Sequence, residues 1–325
     1  MLIQNRKEKI IIIDFGSQVT KLIARRIRDL GVFSEIITIK DLYKIKDFSE
    51  IKGIILSGGP STVTKKNFLK IPKKILLKKI PILGICYGLQ LIAKLFGGTI
   101  KSLKKQREFG RANLVKRQNS VLIKNFFKGK KSLVWMSHQD AVTKLPKNFK
   151  IIASTKESKL TIIENTKNKI YGIQFHPEVT HTQNGKEIFK NFLFSICNIK
   201  KRWHVFNEKK RLIEEIKTTV KKDKVICALS GGVDSSVVAL LVHKAIKKRL
   251  VCIMVDTGLM RKNEFKYTYD LFKKKYKLNV KLINASKLYL KNLKNISNPE
   301  KKRKIIGNLF IKIFEKESKK HKNIK

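Results

Sequence analysis

The sequence has no long apolar segment and few cysteines, although 42% of its 325 residues are hydrophobic. No apolar stretch approaches the length of a membrane-spanning helix, and the run at residues 10–13 is too short for a signal peptide. The four cysteines, at positions 86, 197, 227 and 252, show neither paired nor metal-ligand spacing. These absences argue against a membrane protein and against a disulfide-stabilised secreted domain. We expect a reduced, cytoplasmic protein of about two domains.

Acidic residues are also scarce: 24 Asp and Glu stand against 74 Lys and Arg, and the formal net charge is +50. Such an excess is typical of proteins that bind nucleic acid. Here it is nearly all lysine, is spread over the whole chain, and comes with no aromatic-interleaved basic patch or nucleic-acid motif. A coding bias towards AT-rich codons would produce this composition without selection for binding. We therefore expect no specific nucleic-acid partner, and tight, salt-sensitive RNA binding would favour the alternative.

Short apolar runs alternate with amphipathic stretches along the chain. Runs that are apolar throughout are typical of strands buried on both faces of a parallel sheet. Such runs occur at residues 10–13, 53–56, 81–85, 225–229 and 250–255, and helical spacing occurs between them, for example at residues 20–30 and 68–79. The sequence predicts an α/β protein of two doubly wound domains with mostly parallel sheets. The polar segment 198–204 divides the chain into domains at residues 1–200 and 201–325.

The most specific motif follows the predicted strand at 225–229 and precedes a predicted helix at 237–247. Glycines there let backbone N–H groups converge on an anion, serine hydroxyls add donors, and the helix N-terminus adds partial positive charge. The motif has an aspartate and lacks the lysine of GxxxxGK(S/T) loops, which favours binding of a pyrophosphate with a metal ion. A plain turn rich in Gly and Ser is the alternative. The residues are Ser230, Gly231, Gly232, Val233, Asp234, Ser235 and Ser236.

A second candidate site centres on Cys86, between a predicted strand at 81–85 and a predicted helix at 89–96. Gly84 and Gly88 on either side permit the strained turn of a nucleophile elbow. The helix N-terminus favours a thiolate at this position. A lone cysteine is more often an inert core residue, and the flanking glycines are what favour a nucleophile here.

A cysteine nucleophile needs a base and a group that orients the base. His176 and Glu178 follow a predicted strand at 171–174 and can supply both from one short loop. The segment 57–60, Ser-Gly-Gly-Pro, follows another predicted strand and offers backbone N–H groups to a developing oxyanion. Each loop alone is compatible with a plain turn. Together with Cys86 they predict a cysteine-dependent catalytic site.

These segments resemble the triad-type class I glutamine amidotransferases over roughly residues 10–197. The resemblance implies that glutamine is hydrolysed through a glutamyl thioester on Cys86, with His176 as the base and Glu178 as its partner. Further implied positions are Gly59 and Tyr87, whose amides form the oxyanion hole, and Gln90, Ser137 and His138, which contact glutamine.

The chain as a whole resembles the GMP synthetase family. Residues 230–236 are similar to its ATP pyrophosphatase loop, residues 255–261 to its next strand end, and residues 299–307 to a family signature. The resemblance implies that ATP adenylates xanthosine monophosphate (XMP), that ammonia displaces AMP to give GMP, and that Mg²⁺ neutralises the pyrophosphate. It implies Asp256 near ATP, Asp234 as the Mg²⁺ ligand and Arg303 as an XMP contact. A helix cap is the alternative for Asp234, and a solvated helix face is the alternative for Arg303.

Members of that family extend beyond the position where this sequence stops, with further substrate-binding loops and a small dimerisation domain. We therefore expect a truncated Rossmann-like second domain, and a homodimer only for the full-length family. The expected behaviour is glutamine hydrolysis without unaided GMP formation. A free-standing glutaminase and a remnant that only hydrolyses glutamine stay open as alternatives, and titration with ATP and Mg²⁺ separates a ligase from a glutaminase.

Overall fold

The computed structural model describes residues 8–64, 68, 71–72, 75–76, 78–102, 108–321 and 324. The chain divides into a first unit, Met1–His204, and a second unit, Val205–Lys325. The described segment 198–204, where the sequence is polar, contains neither helix nor strand. The helix expected at residues 68–79 lies largely outside the described residues.

The first unit alternates strands and helices in its first half and consists mainly of strands in its second half. Its strands are β1 (Lys9–Asp14), β2 (Ser34–Thr38), β3 (Ile51–Leu56), β4 (Ile82–Ile85), β5 (Thr99–Ser102), β6 (Glu108–Lys116), β7 (Lys131–His138), β8 (Asp140–Lys144), β9 (Lys150–Ser154), β10 (Ile162–Asn165) and β11 (Ile170–Ile173). Its helices are α1 (Thr20–Asp29), α2 (Ile39–Lys44), α3 (Tyr87–Leu95) and α4 (Gly185–Lys190). A 3₁₀ turn spans Val121–Ile123, and α4 continues as a π-helical turn over Asn191–Ile196.

A nine-stranded sheet in the order β2-β1-β3-β4-β11-β10-β9-β6-β7 forms the centre of the first unit. Pairing is parallel from β2 to β11 and antiparallel from β11 to β7. Strands β5 and β8 form a separate antiparallel pair. The α/β class is confirmed, and the structure adds an antiparallel side to the sheet. The sequence pattern missed β2, β5, β6 and β8 because these strands carry polar residues on an exposed face and have no continuous apolar run.

Strand β1 shows why helices cover both faces of this sheet. Its four isoleucines are at most 1% exposed; Ile10 and Ile12 enter one hydrophobic core, and Ile11 and Ile13 enter another. Successive side chains of a strand point to opposite faces, so β1 needs apolar cover on both sides. Helices α1 and α4 supply it for the first core, and α2 and α3 supply it for the second. Each fully buried isoleucine contributes about 1.5–3 kcal/mol to folding.

The second unit is built on a parallel sheet with the strand order β12-β13-β14. Its strands are β12 (Val225–Ala228), β13 (Leu250–Asp256) and β14 (Val280–Asn284), and its helices are α5 (Val205–Val220), α6 (Val233–Ile246), α7 (Glu264–Asp270), α8 (Ser286–Leu293) and α9 (Pro299–Ser318). A 3₁₀ turn, Lys247–Arg249, follows α6, and a π-helical turn, Leu271–Lys275, follows α7. Helix α6 begins four residues earlier than its apolar pattern predicts, because the motif residues from Val233 onward form its first turn. None of the helices in the described part of the chain has the length and apolar character needed to cross a bilayer.

Gly88 lies where α3 passes close to β3. A Cβ atom on Gly88 would lie 2.3 Å from the carbonyl oxygen of Leu56, which is a backbone atom within the sheet and cannot turn aside. We therefore expect Gly88→Ala to lower the free energy of unfolding of the first unit by about 1–3 kcal/mol, as overpacking typically does. Thermal and urea denaturation measure the change.

Gly307 provides the matched control, because its Cβ would have no neighbour within 4 Å among the described residues outside its own helical turn. This glycine is exposed within α9. We expect Gly307→Ala to stabilise the second unit by about 0.5–1 kcal/mol, since alanine is the better helix former. A Gly88→Ala protein that unfolds at the parent temperature would contradict the close approach of α3 to β3.

Candidate active site

Cys86 occupies the sharp turn between β4 and α3. Its backbone has φ 51° and ψ −103°, a region that non-glycine residues rarely adopt and that the surroundings must hold in place. The Cys86 N–H donates to the carbonyl oxygen of Ile173, at the end of β11, at 2.8 Å. A Cβ atom on Gly84 would lie 2.5 Å from the backbone of Gly88. The two glycines thus allow the strand and the helix to meet at this turn.

The imidazole of His176 lies between the thiol of Cys86 and the carboxylate of Glu178. Its Nδ1 is 2.8 Å from Glu178 Oε1, and the two side chains are 9% and 0% exposed. The Cys86 thiol interacts with the same imidazole and, like Glu178, raises its pKa. A Cβ atom on Gly58 would lie 3.2 Å from His176 Cε1 and 3.7 Å from Cys86 Cβ, so the loop after β3 closes over the pair. The structure therefore brings the three predicted catalytic residues into one buried chain.

The charge of His176 is set by competing effects. Burial disfavours the charged imidazole, but its hydrogen bonds with Cys86 and Glu178, and the negative charges of these groups, outweigh burial and raise the pKa of His176 to about 10. Because the carboxylate and the sulfur both stabilise a positive charge on the imidazole, the proton of the thiol is favoured on His176, which leaves a thiolate–imidazolium pair. That pair is the form in which a cysteine acts as a nucleophile.

Hydrogen bonds within the loop and from two other elements hold the segment that carries the base and its partner. The His176 N–H donates to the carbonyl oxygen of Trp135 at 3.1 Å, and the Thr182 hydroxyl donates to the carbonyl oxygen of His176 at 2.6 Å. Arg26 Nε donates to the carbonyl oxygen of Glu178 at 3.0 Å. The loop is therefore fixed by β7 and α1, and the imidazole is oriented before any substrate binds.

The two positions implied for the oxyanion hole lie beside Phe15. Tyr87 is the first residue of α3, and its ring packs on Phe15 with centroids 5.0 Å apart. A Cβ atom on Gly59 would lie 2.6 Å from the carbonyl oxygen of Phe15. The Phe15 N–H donates to the hydroxyl of Ser57 at 3.1 Å. The backbone after β1 thus anchors the segment that bears Gly59.

Ser137 and Gln90, implied as glutamine contacts, have different surroundings. Ser137 is exposed, and its carbonyl oxygen lies 3.6 Å from Cys86 Sγ. Gln90 is 4% exposed, and its Nε2 donates to the carbonyl oxygen of Asp140 at 2.7 Å. Ser137 therefore reaches the sulfur through its backbone, whereas the Gln90 amide is engaged with the strand that follows β7.

His138, the third implied glutamine contact, forms a buried pair with Glu108. The two residues face each other across β7 and β6, and His138 Nε2 lies 3.1 Å from Glu108 Oε2. Glu108 Oε1 accepts a hydrogen bond from the Thr155 hydroxyl at 2.8 Å. This network holds the strand end that carries Ser137 beside the thiol. Glu108 was missed in the sequence because its role depends on the register of two strands.

Gln174 is a second residue that the sequence reasoning missed. Its side chain is 0% exposed, and its Nε2 donates to Cys86 Sγ at 3.7 Å. Its N–H donates to the carbonyl oxygen of Thr161 at 2.9 Å. The available signal was an amide residue directly after the apolar strand β11, two positions before His176.

The glycine motif of the second unit forms a loop and helix start after β12. Gly231 has φ +84°, and a Cβ atom there would lie 2.8 Å from Thr268 Cγ2. The hydroxyls of Ser230 and Ser235 are 3.0 Å apart, and the Ser236 hydroxyl donates to the carbonyl oxygen of Gly232 at 2.6 Å. Residues 230–234 are exposed. A loop with a glycine at positive φ directly before a helix N-terminus is the local arrangement in which backbone N–H groups can bind phosphate.

The other residues predicted to contact ATP, Mg²⁺ or XMP lie on three different elements of the second unit. Asp256 ends β13, and its Oδ1 accepts the Gly258 N–H at 2.9 Å. Asp234 is exposed in the first turn of α6. The side chain of Arg303 is 81% exposed and pairs with Glu300 at 3.3 Å on α9, as on a solvated helix face.

The acidic side chains of the structure can be compared with what the predicted Mg²⁺ site requires. Within the described residues, no group of three or more His, Cys, Asp or Glu side chains could hold a metal ion. The single carboxylate of Asp234 fits an ion that is held mainly by phosphate oxygens and water, which is how Mg²⁺ is usually bound at nucleotide sites.

A strained elbow with a buried thiol–imidazole–carboxylate chain, on a sheet covered by helices on both faces, defines a class of cysteine-dependent amidotransferases. Residues 11–196, more than half of the chain, match the family model described as glutamine amidotransferase class-I. The chain therefore belongs to the class I glutamine amidotransferase family. Residues 205–313 match the model described as NAD synthase.

Similar proteins extend the match over nearly the whole chain. The glutamine-hydrolyzing GMP synthase of Spiroplasma kunkelii is 50% identical over 318 residues, which are 98% of this chain and 61% of that protein. The GMP synthase of Clostridium botulinum (strain Kyoto / Type A2) is 47% identical over 320 residues, 98% of this chain and 62% of that protein. The chain thus spans about three fifths of the length of these curated relatives.

A solved structure shares the fold of the first unit. It is described as a GMP synthase subunit from Thermoplasma acidophilum and is 29% identical, with a TM-score of 0.50. The match covers 63% of this chain and 98% of that protein.

Glu178→Gln tests the electrostatics of the catalytic chain. We expect the pKa of His176 to fall, because the variant loses both the charge and the hydrogen bond that stabilise the imidazolium. NMR titration of the histidine ring protons measures the shift. Glu108→Gln, at the other buried His–Glu pair, is the control, and we expect it to leave the pKa of His176 unchanged.

The same pair makes stability depend on pH. A raised pKa in the folded state stabilises the protein fully below the unfolded value of about 6.5, and this stabilisation is lost as the pH rises towards about 10. We expect the free energy of unfolding of the first unit to decline over that window, and to decline less in Glu178→Gln. If the free energy of unfolding fell equally steeply with pH in both proteins, the pairing with Glu178 would not be what raises the pKa of His176.

Proposed function

We propose that the first unit hydrolyses glutamine and that the ammonia released serves an ATP-dependent amination of XMP to GMP, in which the second unit takes part. The observation that supports glutamine hydrolysis is the buried chain of Cys86, His176 and Glu178 in a member of the class I glutamine amidotransferase family. The GMP synthase relatives support the second half of the reaction.

The geometry suggests the order of events at the thiol. Cys86 Sγ, its proton held by His176, attacks the side-chain amide carbon of glutamine, and the amides of Gly59 and Tyr87 stabilise the oxyanion. The C–N bond breaks as His176 returns the proton to the leaving nitrogen, and ammonia departs. Water, deprotonated by His176, then cleaves the glutamyl thioester to glutamate and free thiol. Glu178 keeps the imidazole oriented throughout.

In the second unit, the proposed substrate is ATP. The backbone at residues 230–232 and the start of α6 would hold its phosphates, with Asp256 at the neighbouring strand end near the nucleoside. Asp234 would hold Mg²⁺ directly or through water, and this ion supplies charge neutralisation on the leaving pyrophosphate. Arg303 is proposed as a contact of XMP, whose activated carbonyl carbon receives the ammonia.

A glutaminase without a ligase function is the second candidate. It is favoured by one observation: the described thiol, base and carboxylate all lie within the first unit. Calorimetric titration of the 1–325 chain with ATP and Mg²⁺ distinguishes the two functions, because only the ligase requires nucleotide binding.

Cys86→Ala tests glutamine hydrolysis. We expect ammonia release from glutamine to fall about a thousandfold or more, because loss of the nucleophile removes the covalent route. A coupled glutamate assay follows the rate. Cys227→Ala, which removes a thiol in the second unit, should keep the parent rate. Unchanged hydrolysis in Cys86→Ala would refute the thiol mechanism.

Gly231→Ala tests the nucleotide loop. The added Cβ is disfavoured at φ +84° and meets the Thr268 side chain at 2.8 Å, so the loop must shift. We expect affinity for ATP with Mg²⁺ to drop by about tenfold or more, as measured by calorimetry. Gly307→Ala, on α9, should bind as the parent chain does. Equal affinity of the Gly231→Ala and parent proteins would show that the loop does not hold the nucleotide.

A further inference from the structure

The end of strand β11 contacts Cys86 in three ways. The carbonyl oxygen of Ile173 accepts the Cys86 N–H at 2.8 Å, Gln174 Nε2 donates to Cys86 Sγ at 3.7 Å, and the His176 imidazole interacts electrostatically with the thiol. One short segment therefore positions the backbone of the elbow, its sulfur and its base. The Gln174 side chain contacts the sulfur directly, yet the proposed hydrolysis gives it no role.

The buried amide of Gln174 destabilises the folded state. Its side chain is 0% exposed, and its Oε1 has no hydrogen-bond partner among the described residues. A buried amide oxygen without a partner destabilises the folded state, and such a group calls for an explanation beyond packing. Leucine would fill a similar volume without that cost. The N–H that the amide directs at the sulfur supplies the explanation.

We propose that Gln174 is a catalytic residue whose side-chain N–H stabilises the thiolate of Cys86. A hydrogen bond to an anion is stronger than one to a neutral acceptor, so this donor favours the charged sulfur over the thiol. Ser137 acts in the opposite sense, because its carbonyl oxygen at 3.6 Å accepts from the S–H. The titratable groups that the structure places on this sulfur are His176 and, behind it, Glu178.

The role extends to two steps of the proposed hydrolysis, on which the inference rests for its chemistry. Before the attack, the proton of the thiol resides on His176 and the amide N–H supports the negative sulfur. When water cleaves the thioester, the carbon–sulfur bond breaks with its electron pair on sulfur, and the same N–H supports the leaving thiolate. No group beyond glutamine and water is required.

The test measures how fast iodoacetamide alkylates Cys86 as a function of pH, in the full 1–325 chain without glutamine. Mass spectrometry of the Cys86 peptide separates this thiol from the three others. We expect Gln174→Leu to move the midpoint of the rate profile upward by about one pH unit. Turnover number for glutamine should fall about tenfold, with little change in KM.

Two further variants keep the result interpretable. Gln174→Glu retains the shape of the side chain and loses the donor when ionised, so it should shift the profile at least as far and serves if Gln174→Leu unfolds. Gln90→Leu removes the other buried glutamine of the site, whose amide donates to Asp140; it should weaken glutamine binding and leave the alkylation profile in place.

A Gln174→Leu profile that superimposes on the parent profile would overturn the proposal. So would a shift to lower pH, which would mean that the amide accepts a hydrogen bond from the thiol. Failure of the parent chain to release ammonia from glutamine would instead count against the proposed function. The alkylation comparison decides the role of Gln174 in either case, since it needs no turnover.

Discussion

The left-handed backbone of Cys86 is the constraint on which the first unit is organised. A β-carbon at φ 51° is unfavourable, and the turn persists because its neighbours leave it no alternative. The N–H of this residue is held by β11, the adjacent glycines let α3 lie directly against β3 and β4, and the loop after β3 closes over the sulfur. Three parallel strands and one helix thus converge to keep one side chain at the carboxyl edge of the sheet.

The electrostatics of the site follow from the same burial. A carboxylate with 0% exposure is tolerated because an imidazole lies 2.8 Å away, and the imidazole in turn keeps its charge because the carboxylate and the thiol surround it. Neither partner would be stable at this depth alone. The pair is therefore a preorganised proton acceptor whose orientation is set during folding and not by the substrate.

The sequence was most informative where chemistry depends on a local pattern. The apolar runs located β1, β3, β4, β12 and β13, and the spacing of Gly84, Cys86 and Gly88 located the elbow, because each is a property of consecutive residues. Contacts that depend on pairing between distant strands were invisible. Glu108 meets His138 only through the register of β6 and β7, and Gln174 meets the thiol only because β11 lies beside β4. Polar residues on half-exposed strands gave no periodic signal, so β2, β5, β6 and β8 were missed, and the antiparallel pairing of one side of the sheet was not predicted.

That antiparallel side has a consequence of its own. Phe109 lies opposite Ser137 in the β6–β7 ladder and is 60% exposed, whereas its neighbour Glu108 lies opposite His138 and is buried. Successive side chains alternate between faces, so a slip of one residue would bury the phenylalanine, expel the glutamate to solvent and withdraw the Ser137 carbonyl oxygen from the sulfur. The surroundings of the Cys86 thiol, at the end of a parallel strand, thus depend on the register of the antiparallel strands β6 and β7. The reactivity of this thiol therefore reports whether β6 and β7, at the edge of the sheet, have paired in the correct register.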